Sequence, residues 1–244
     1  MKLPENWSLP EPIKVRFGQT HGQQRAMLEE GHLLLILHEL PHWGDRRREG
    51  QLFWRNPQGE WQFSGRGNGL PALRNHVKEY VAAEEELDRR YDAAKTASDY
   101  FRLLEDLAPV RLAARNLHHA LQQAREGVPE DRDLIDLRDA AAECARNLEL
   151  LYGSGKNALD FEIAKESERQ ARLAEQSVYI ANRLNVIVAI FFPLTAIAGI
   201  FGMNLATGLE TASPVLFWWV LVGGVVIGFV VRGWVLTKPG KEKP

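Results

Sequence analysis

The chain has 244 residues, of which 45% are hydrophobic and 25% charged, with a formal net charge of −2. That length holds one medium domain plus an appendage, and the mildly acidic balance excludes the basic face that nucleic-acid binding needs. A single cysteine, Cys144, rules out an intrachain disulfide and fits a reducing compartment.

The opening "MKLPENWSLPEP" contains no apolar run of signal-peptide length, so export of the large domain is not expected. Between 33 and 64, "LLLILH", "QLFWRN" and "EWQFS" read as three short strands. The last two are joined by "NPQG", which sets proline where a turn starts. At the end of the first strand, His38-Glu39-Leu40-Pro41-His42 fits H-E-x-x-H, by which a zinc-protease helix presents two imidazoles and a general-base glutamate. Pro41 falls inside that supposed helix and pushes Leu40 toward extended geometry. The stretch therefore reads as a strand running into a loop with two surface histidines, and no zinc site is assigned.

From Pro71 onward the pattern is helical. A first helix is expected from 71 to about 107, a second opening at Pro109 and stopping near Gly127, and a third after Pro129. In the third, Leu134, Leu137, Ala141, Cys144, Leu148 and Leu151 recur three and four apart and form one apolar seam. "GSG" at 153–155 is expected to interrupt it, after which no breaker appears from Lys156 to Phe192. Along that last stretch Ser167, Gln170, Ala174, Ser177 and Ala181 make a small, polar stripe. It either faces solvent or lines a wet central channel built from several copies of the chain. The acidic run at 84–92, "EEELDRRYD", reads as a solvated face, and His118 and His119 point to different helix faces.

Charge is segregated. Only Glu210 is charged between 184 and 231, and residues 1–183 carry 26 basic and 30 acidic side chains. "LNVIVAIFFPLTAIAGIFG" at 184–202 and "PVLFWWVLVGGVVIGFVV" at 214–231 are each near the length of about 20 residues that crosses a hydrocarbon core. Neither has a polar face, and Trp218, Trp219 and Trp234 sit near the ends of the second, as interfacial anchors would. Pro193 is tolerable in a membrane helix with neighbours. Gly224 and Gly228 suit close helix packing. Basic residues (Arg169, Arg172 and Arg183 before the first span; Arg232, Lys238, Lys241 and Lys243 after the second) flank a connecting loop that has none. The positive-inside rule then puts both termini in the cytoplasm and the loop outside.

The first span ends "IFFPLTAIAGIFGMN". Gly202-Met203-Asn204 at the outer end of the first of two C-terminal spans, preceded by "PLTAIAG", resembles the signature of the CorA family of divalent-cation transporters. The resemblance covers about 170–231. The N-terminal region is shorter than is usual for the family and carries none of its motifs. With the elements read above, the resemblance gives an α+β membrane protein: a small strand-containing cytoplasmic region (1–70), a helical stalk (71–183), a pore helix (184–204), an outer loop (205–213), a second span (214–231) and a basic cytoplasmic tail (232–244). It implies a homopentamer in the inner membrane, in contact with lipid, passing Mg²⁺ or a related divalent cation as cargo. No covalent chemistry, cofactor or nucleic acid is expected.

Gly202 lets the backbone turn out of the helix at the mouth. Asn204 then offers one neutral amide oxygen per subunit to a cation that keeps its waters. Further in, the family's pore-facing positions fall on Gly199, Thr195, Phe192, Leu184 and Ala181. Phe192 replaces the family's usual methionine with a bulkier ring. The outer loop "LATGLETAS" lacks the family's acidic element and offers only Glu210 to attract cations. Zinc or cobalt transport, or a non-conducting membrane-anchored scaffold, are the alternatives.

Overall fold

The computed structural model describes residues 2–18, 22–41, 44, 49–202 and 213–236. The chain divides into two units, 1–165 and 166–244. The elements in chain order are α1 (Glu11–Arg16), β1 (Arg25–Glu29), β2 (His32–His38), β3 (Gly50–Arg55), β4 (Trp61–Phe63), α2 (Gly69–Ala93), α3 (Ala97–Gly127), α4 (Arg132–Gly202) and α5 (Pro214–Leu236).

The first unit is built on one antiparallel sheet in the order β1-β2-β3-β4. β1 and β2 pair with Glu29 opposite His32, leaving a two-residue turn. Glu30 (φ 50°) and Gly31 (φ 79°) both take left-handed backbone there, which matches the twist of a hairpin. The expected turn between β3 and β4 is present, with the Gly59 N–H donating to the Asn56 carbonyl at 3.0 Å. The unbroken "LLLIL" of β2 has a physical cause: both faces of the strand are covered. Leu33, Leu35 and Leu37, with Phe53 and Trp61, pack into the large core shared with α2, α3 and the start of α4. Leu34 and Ile36, with Leu52, Trp54 and Met27, pack beneath Trp7, Leu9 and Ile13. The proline-rich N-terminus thus covers the second sheet face, with Trp7 and Trp54 ring centroids 5.6 Å apart.

Several boundaries differ from expectation. α1 and β1 were not anticipated from the sequence. Both are short, and β1 holds its place through long-range contacts, including the Ala26 N–H donating to Gln123 Oε1 at 3.3 Å. The first long helix does not reach 107; it ends at Ala93, and α3 begins at Ala97. The restart is set by a capping box. Asp99 N–H donates to Thr96 Oγ1 at 3.2 Å, and Thr96 N–H donates to Asp99 Oδ2 at 3.0 Å. The Thr96 hydroxyl, then the Lys95 and Thr96 N–H groups, hold the Asp99 carboxyl below its ordinary value.

Pro109 does not open a helix but lies inside α3. A mid-helix proline costs about 3 kcal/mol, and the buried seam on either side of it, from Leu103 through Ala124, outweighs that loss. "GSG" does not interrupt α4 either. A Cβ at Gly155 would sit 3.3 Å from Leu104 Cδ2, so the glycine marks where α4 packs closely on α3. The apolar seam from Leu134 to Leu151 is buried as its spacing predicts. His38 is a further correction: it is 1% exposed, not a surface residue, because both faces of β2 stay covered through its last position. His42 lies outside the described residues.

Candidate functional site

In the second unit, α5 packs against the last turns of α4. A Cβ on Gly228 would stand 3.0 Å from the Ile190 carbonyl oxygen and 3.2 Å from the Ile190 Cα. A Cβ on Gly224 would stand 3.3 Å from Ile197 Cδ1. The two glycines, four apart, let the helices approach through a shallow groove. The packing role expected for them is what the structure shows. On α4 the residues half-buried by this contact are Val186, Ala189, Ile190, Pro193, Leu194 and Ile197.

The positions singled out for the pore lie elsewhere on the same helix. At about 100° per residue, Ala181, Leu184, Phe192, Thr195 and Gly199 fall within an arc of about 80°. The centre of that arc is about half a turn from the face that α5 covers. All five are exposed in the single chain, with Leu184 at 58% and Phe192 at 70%. Ser167, Gln170, Ala174 and Ser177 are exposed too, and the same helical count puts them on the same side. One uninterrupted face therefore runs from Ser167 to Gly199. It is small and polar in its first half and carries no charge in its second.

Thr195 is the hydroxyl on the apolar half of that face. Its Oγ1 donates to the Phe191 carbonyl at 2.9 Å, one turn back. The hydroxyl proton is thereby committed to the helix, and the oxygen lone pairs remain to accept hydrogen bonds. A hydrated cation presents donors to its surroundings, so this is the polarity such an ion can use. Gly202 is the last residue of α4. Met203, Asn204 and Glu210 lie outside the described residues.

α4 is the helix, among the described residues, long and apolar enough to cross a membrane, and that stretch is unburied within the chain. The apolar part of α5, Phe217–Val230, is shorter. Trp218 and Trp219 are exposed at its beginning, and the Arg232 guanidinium lies 5.9 Å from the Phe229 ring centroid at its end. In the first unit, β2 runs to His38 and Glu39–Pro41 are not helical, so the H-E-x-x-H pattern lacks the helix it requires. Among the described residues no three His, Cys, Asp or Glu side chains are grouped to hold a metal.

The sequence profile of the family described as CorA-like Mg²⁺ transporter protein matches residues 68–238. The chain belongs to that family. The match begins at the residue preceding α2, so the sheet and its N-terminal cover lie outside it. CorA-like proteins are transporters rather than enzymes. The structure of the full-length CmaX protein is similar, with a TM-score of 0.58 at 14% identity over 95% of this chain and 82% of that one. At that identity the likeness concerns the fold, a small sheet joined to long helices. The CorA magnesium transporter from Methanocaldococcus jannaschii aligns with a TM-score of 0.43 at 15% identity, over 91% of this chain and 81% of that one. No curated protein matches the sequence.

The α4 residues that meet α5 were missed at the level of the sequence. The signal that finds them is the spacing of Gly224 and Gly228, which specifies a close neighbour but not its register.

Proposed function

We propose that this CorA-like protein is a homo-oligomeric channel or transporter, pentameric as in its family, that passes Mg²⁺ or a related divalent cation across the inner membrane. The observation carrying this reading is the continuous face of α4 from Ser167 to Gly199, exposed in one chain and turned away from α5. Two helices cannot enclose a pore. Several copies, each presenting that face to a common axis with α5 outside, can. The last 19 residues of α4, with Met203 and Asn204, then form the first span (184–204), α5 supplies the second (214–231), and both termini are cytoplasmic.

In this arrangement Asn204, two positions beyond the end of α4, supplies a ring of neutral carbonyls at the outer mouth. Gly202 and Met203 place it there, and Glu210 in the adjoining loop attracts cations. Below it come Gly199, the Thr195 hydroxyls, the Phe192 rings, the apolar constriction of Leu184, and the small Ala181. Magnesium releases its waters reluctantly, so a ring that accepts hydrogen bonds from a still-hydrated ion holds it weakly enough to conduct. An inside-negative potential favours entry of a doubly charged ion by about 4.6 kcal/mol per 100 mV.

Divalent flux in liposomes, comparing Mg²⁺, Co²⁺ and Zn²⁺, tests the reading with variants of Asn204. Asn204→Ala removes every amide carbonyl from the mouth and is expected to slow entry at least tenfold, the effect of about 1.4 kcal/mol lost at the barrier. Asn204→Asp keeps the shape and adds a charge per subunit, so it should bind cations more tightly and release them more slowly. Equal flux through assembled wild type and assembled Asn204→Ala would remove Asn204 from the filter. No flux through assembled wild type would favour the scaffold reading, in which the Phe192 rings close the path.

A further inference from the structure

The first unit buries two imidazoles that the proposed transport does not use. His38 is the last residue of β2, and His76 lies on α2; they are 1% and 2% exposed. The His76 ring packs against Phe53 of β3 at 5.8 Å and against Tyr80, one turn along α2, at 5.5 Å. The Tyr80 hydroxyl donates to the His38 carbonyl at 2.9 Å, so the same turn of α2 is fastened to the end of β2. Neither ring nitrogen of His76 has a hydrogen-bond partner among the described residues. A buried polar group in that state is expensive, and a buried cation there is far more so.

We propose that His76 is an acid-released latch: protonation of its imidazole frees α2 from the sheet, opening the first unit while leaving the membrane-spanning helices intact.

Among the described residues, the surroundings leave a protonated His76 without a counter-charge. A charge on His38, the last residue of β2, would repel it further. From β3 it meets Phe53, and from its own helix Tyr80, whose proton is already given to the β2 end. Glu39 is close in sequence to His38, but its carboxylate accepts from Gln51 Nε2 at 2.9 Å. On α2 itself Glu79 accepts from Asn75. The carboxylate of α3 that reaches α2, Asp106, is held by Arg90 further along the helix. From α4, Asp133 is paired with Arg74, and Cys144 donates to the Tyr80 carbonyl at 3.5 Å.

Burial first, and His38 second, push the His76 pKa down from 6.5 to about 4. The folded state therefore binds this proton less readily than the open state does. The contribution of His76 is fully present above pH 6.5 and is lost as the pH falls toward 4. Over that window the balance between closed and open forms shifts by on the order of a hundredfold.

Hydrogen exchange of the full chain in liposomes, read by mass spectrometry peptide by peptide from pH 7.5 downward, tests the latch. Wild-type peptides from 69–93 should lose protection below about pH 6, the point at which an exposed imidazole protonates. Those from α5 should not. His76→Phe, which fits the aromatic cluster and cannot be protonated, should hold protection to about one pH unit lower. His119→Gln, at an exposed position, should follow wild type. Opening at the same pH in His76→Phe and wild type would overturn the proposal. Should that variant fail to fold at neutral pH, the ring signals of His76 in labelled wild type decide. An imidazole still neutral at pH 5.5 in the closed form supports the latch. One that protonates near 6.5 with α2 still protected refutes it.

Discussion

Single atoms decide how closely α4 and α5 approach, and Gly228 is where the tolerance is smallest. Its missing side chain faces the Ile190 backbone, which cannot swing aside as a flexible side chain could. Gly228→Leu must therefore push the helices apart, and overpacking of this kind costs about 1–3 kcal/mol. Gly223, the neighbour of Gly224, has nothing within 4 Å of its hypothetical Cβ. Gly223→Ala is then the matched control. The expected outcome is a smaller assembled fraction for Gly228→Leu than for Gly223→Ala on size-exclusion chromatography in mild detergent. Equal assembly of the two would mean that the close contact is dispensable. Thr195 shows the same economy of scale: one hydroxyl bonded to Phe191 turns an apolar helix face into one that accepts hydrogen bonds.

Among the elements, the start of α4 is the junction between sheet and helices. Asp131 does two things there. Its Oδ1 accepts from the N–H groups of Asp133 (3.1 Å) and Leu134 (3.3 Å), capping the helix, while its Oδ2 accepts from Arg55 Nε of β3 at 2.7 Å. Removing a cap costs about 1 kcal/mol. Arg55, at 17% side-chain exposure, would also lose its charged partner, so Asp131→Ala should destabilise the first unit by about 2–3 kcal/mol. Asp131→Asn keeps the cap and should lose about half as much. Urea titration followed by the exchange protection of α3 peptides measures both, and an unchanged Asp131→Ala would refute the junction.

How much of this was legible varies with what holds each element. β2, β3 and β4 were readable because apolar runs bounded by turn residues need no partner to be recognised. The α4 seam was readable because six residues repeat at helical spacing. β1 and α1 were not, since their order depends on Gln123 and on the sheet face they cover. The break after Ala93 was written in the sequence as Thr96-x-x-Asp99, a capping box hidden by the helical run around it. Pro109 and "GSG" looked like stops, and they are not, because buried neighbours and a close helix outweigh local propensity. The candidate pore face was legible residue by residue, whereas its opposition to α5 needed the register of Gly228 on Ile190. His76 carried no local signal, since a histidine on a helix reads as surface until a sheet covers it.

At the scale of the whole molecule, charge and apolarity are separated along the chain, and the apolar part is not self-sufficient. In one chain Phe191, Phe217, Trp219 and Phe229 are all more than half exposed. Lipid can cover such side chains, whereas Ser167, Gln170 and Ser177, on the α4 face turned away from α5, call for water. In the proposed assembly, other copies of the chain enclosing water satisfy both halves of that surface. Paired cysteine variants separate this arrangement from one in which the polar face looks outward. Ser177 and Tyr179 are both exposed in a single chain and lie about 200° apart around α4. Cys144 does not interfere, because burial, aided by Glu84, pushes its thiol up to about 12 and leaves it protonated. With bis-maleimides of graded length in dilute liposomes, Ser177→Cys should join subunits efficiently, since the proposed assembly brings that position of every copy to the axis. Tyr179→Cys should join few. Linked pairs dominate at the shortest reagents, with higher adducts absent because each copy carries one reactive thiol. Stronger cross-linking through Tyr179→Cys than through Ser177→Cys would place the polar face on the outside, and the central pathway would have to be abandoned.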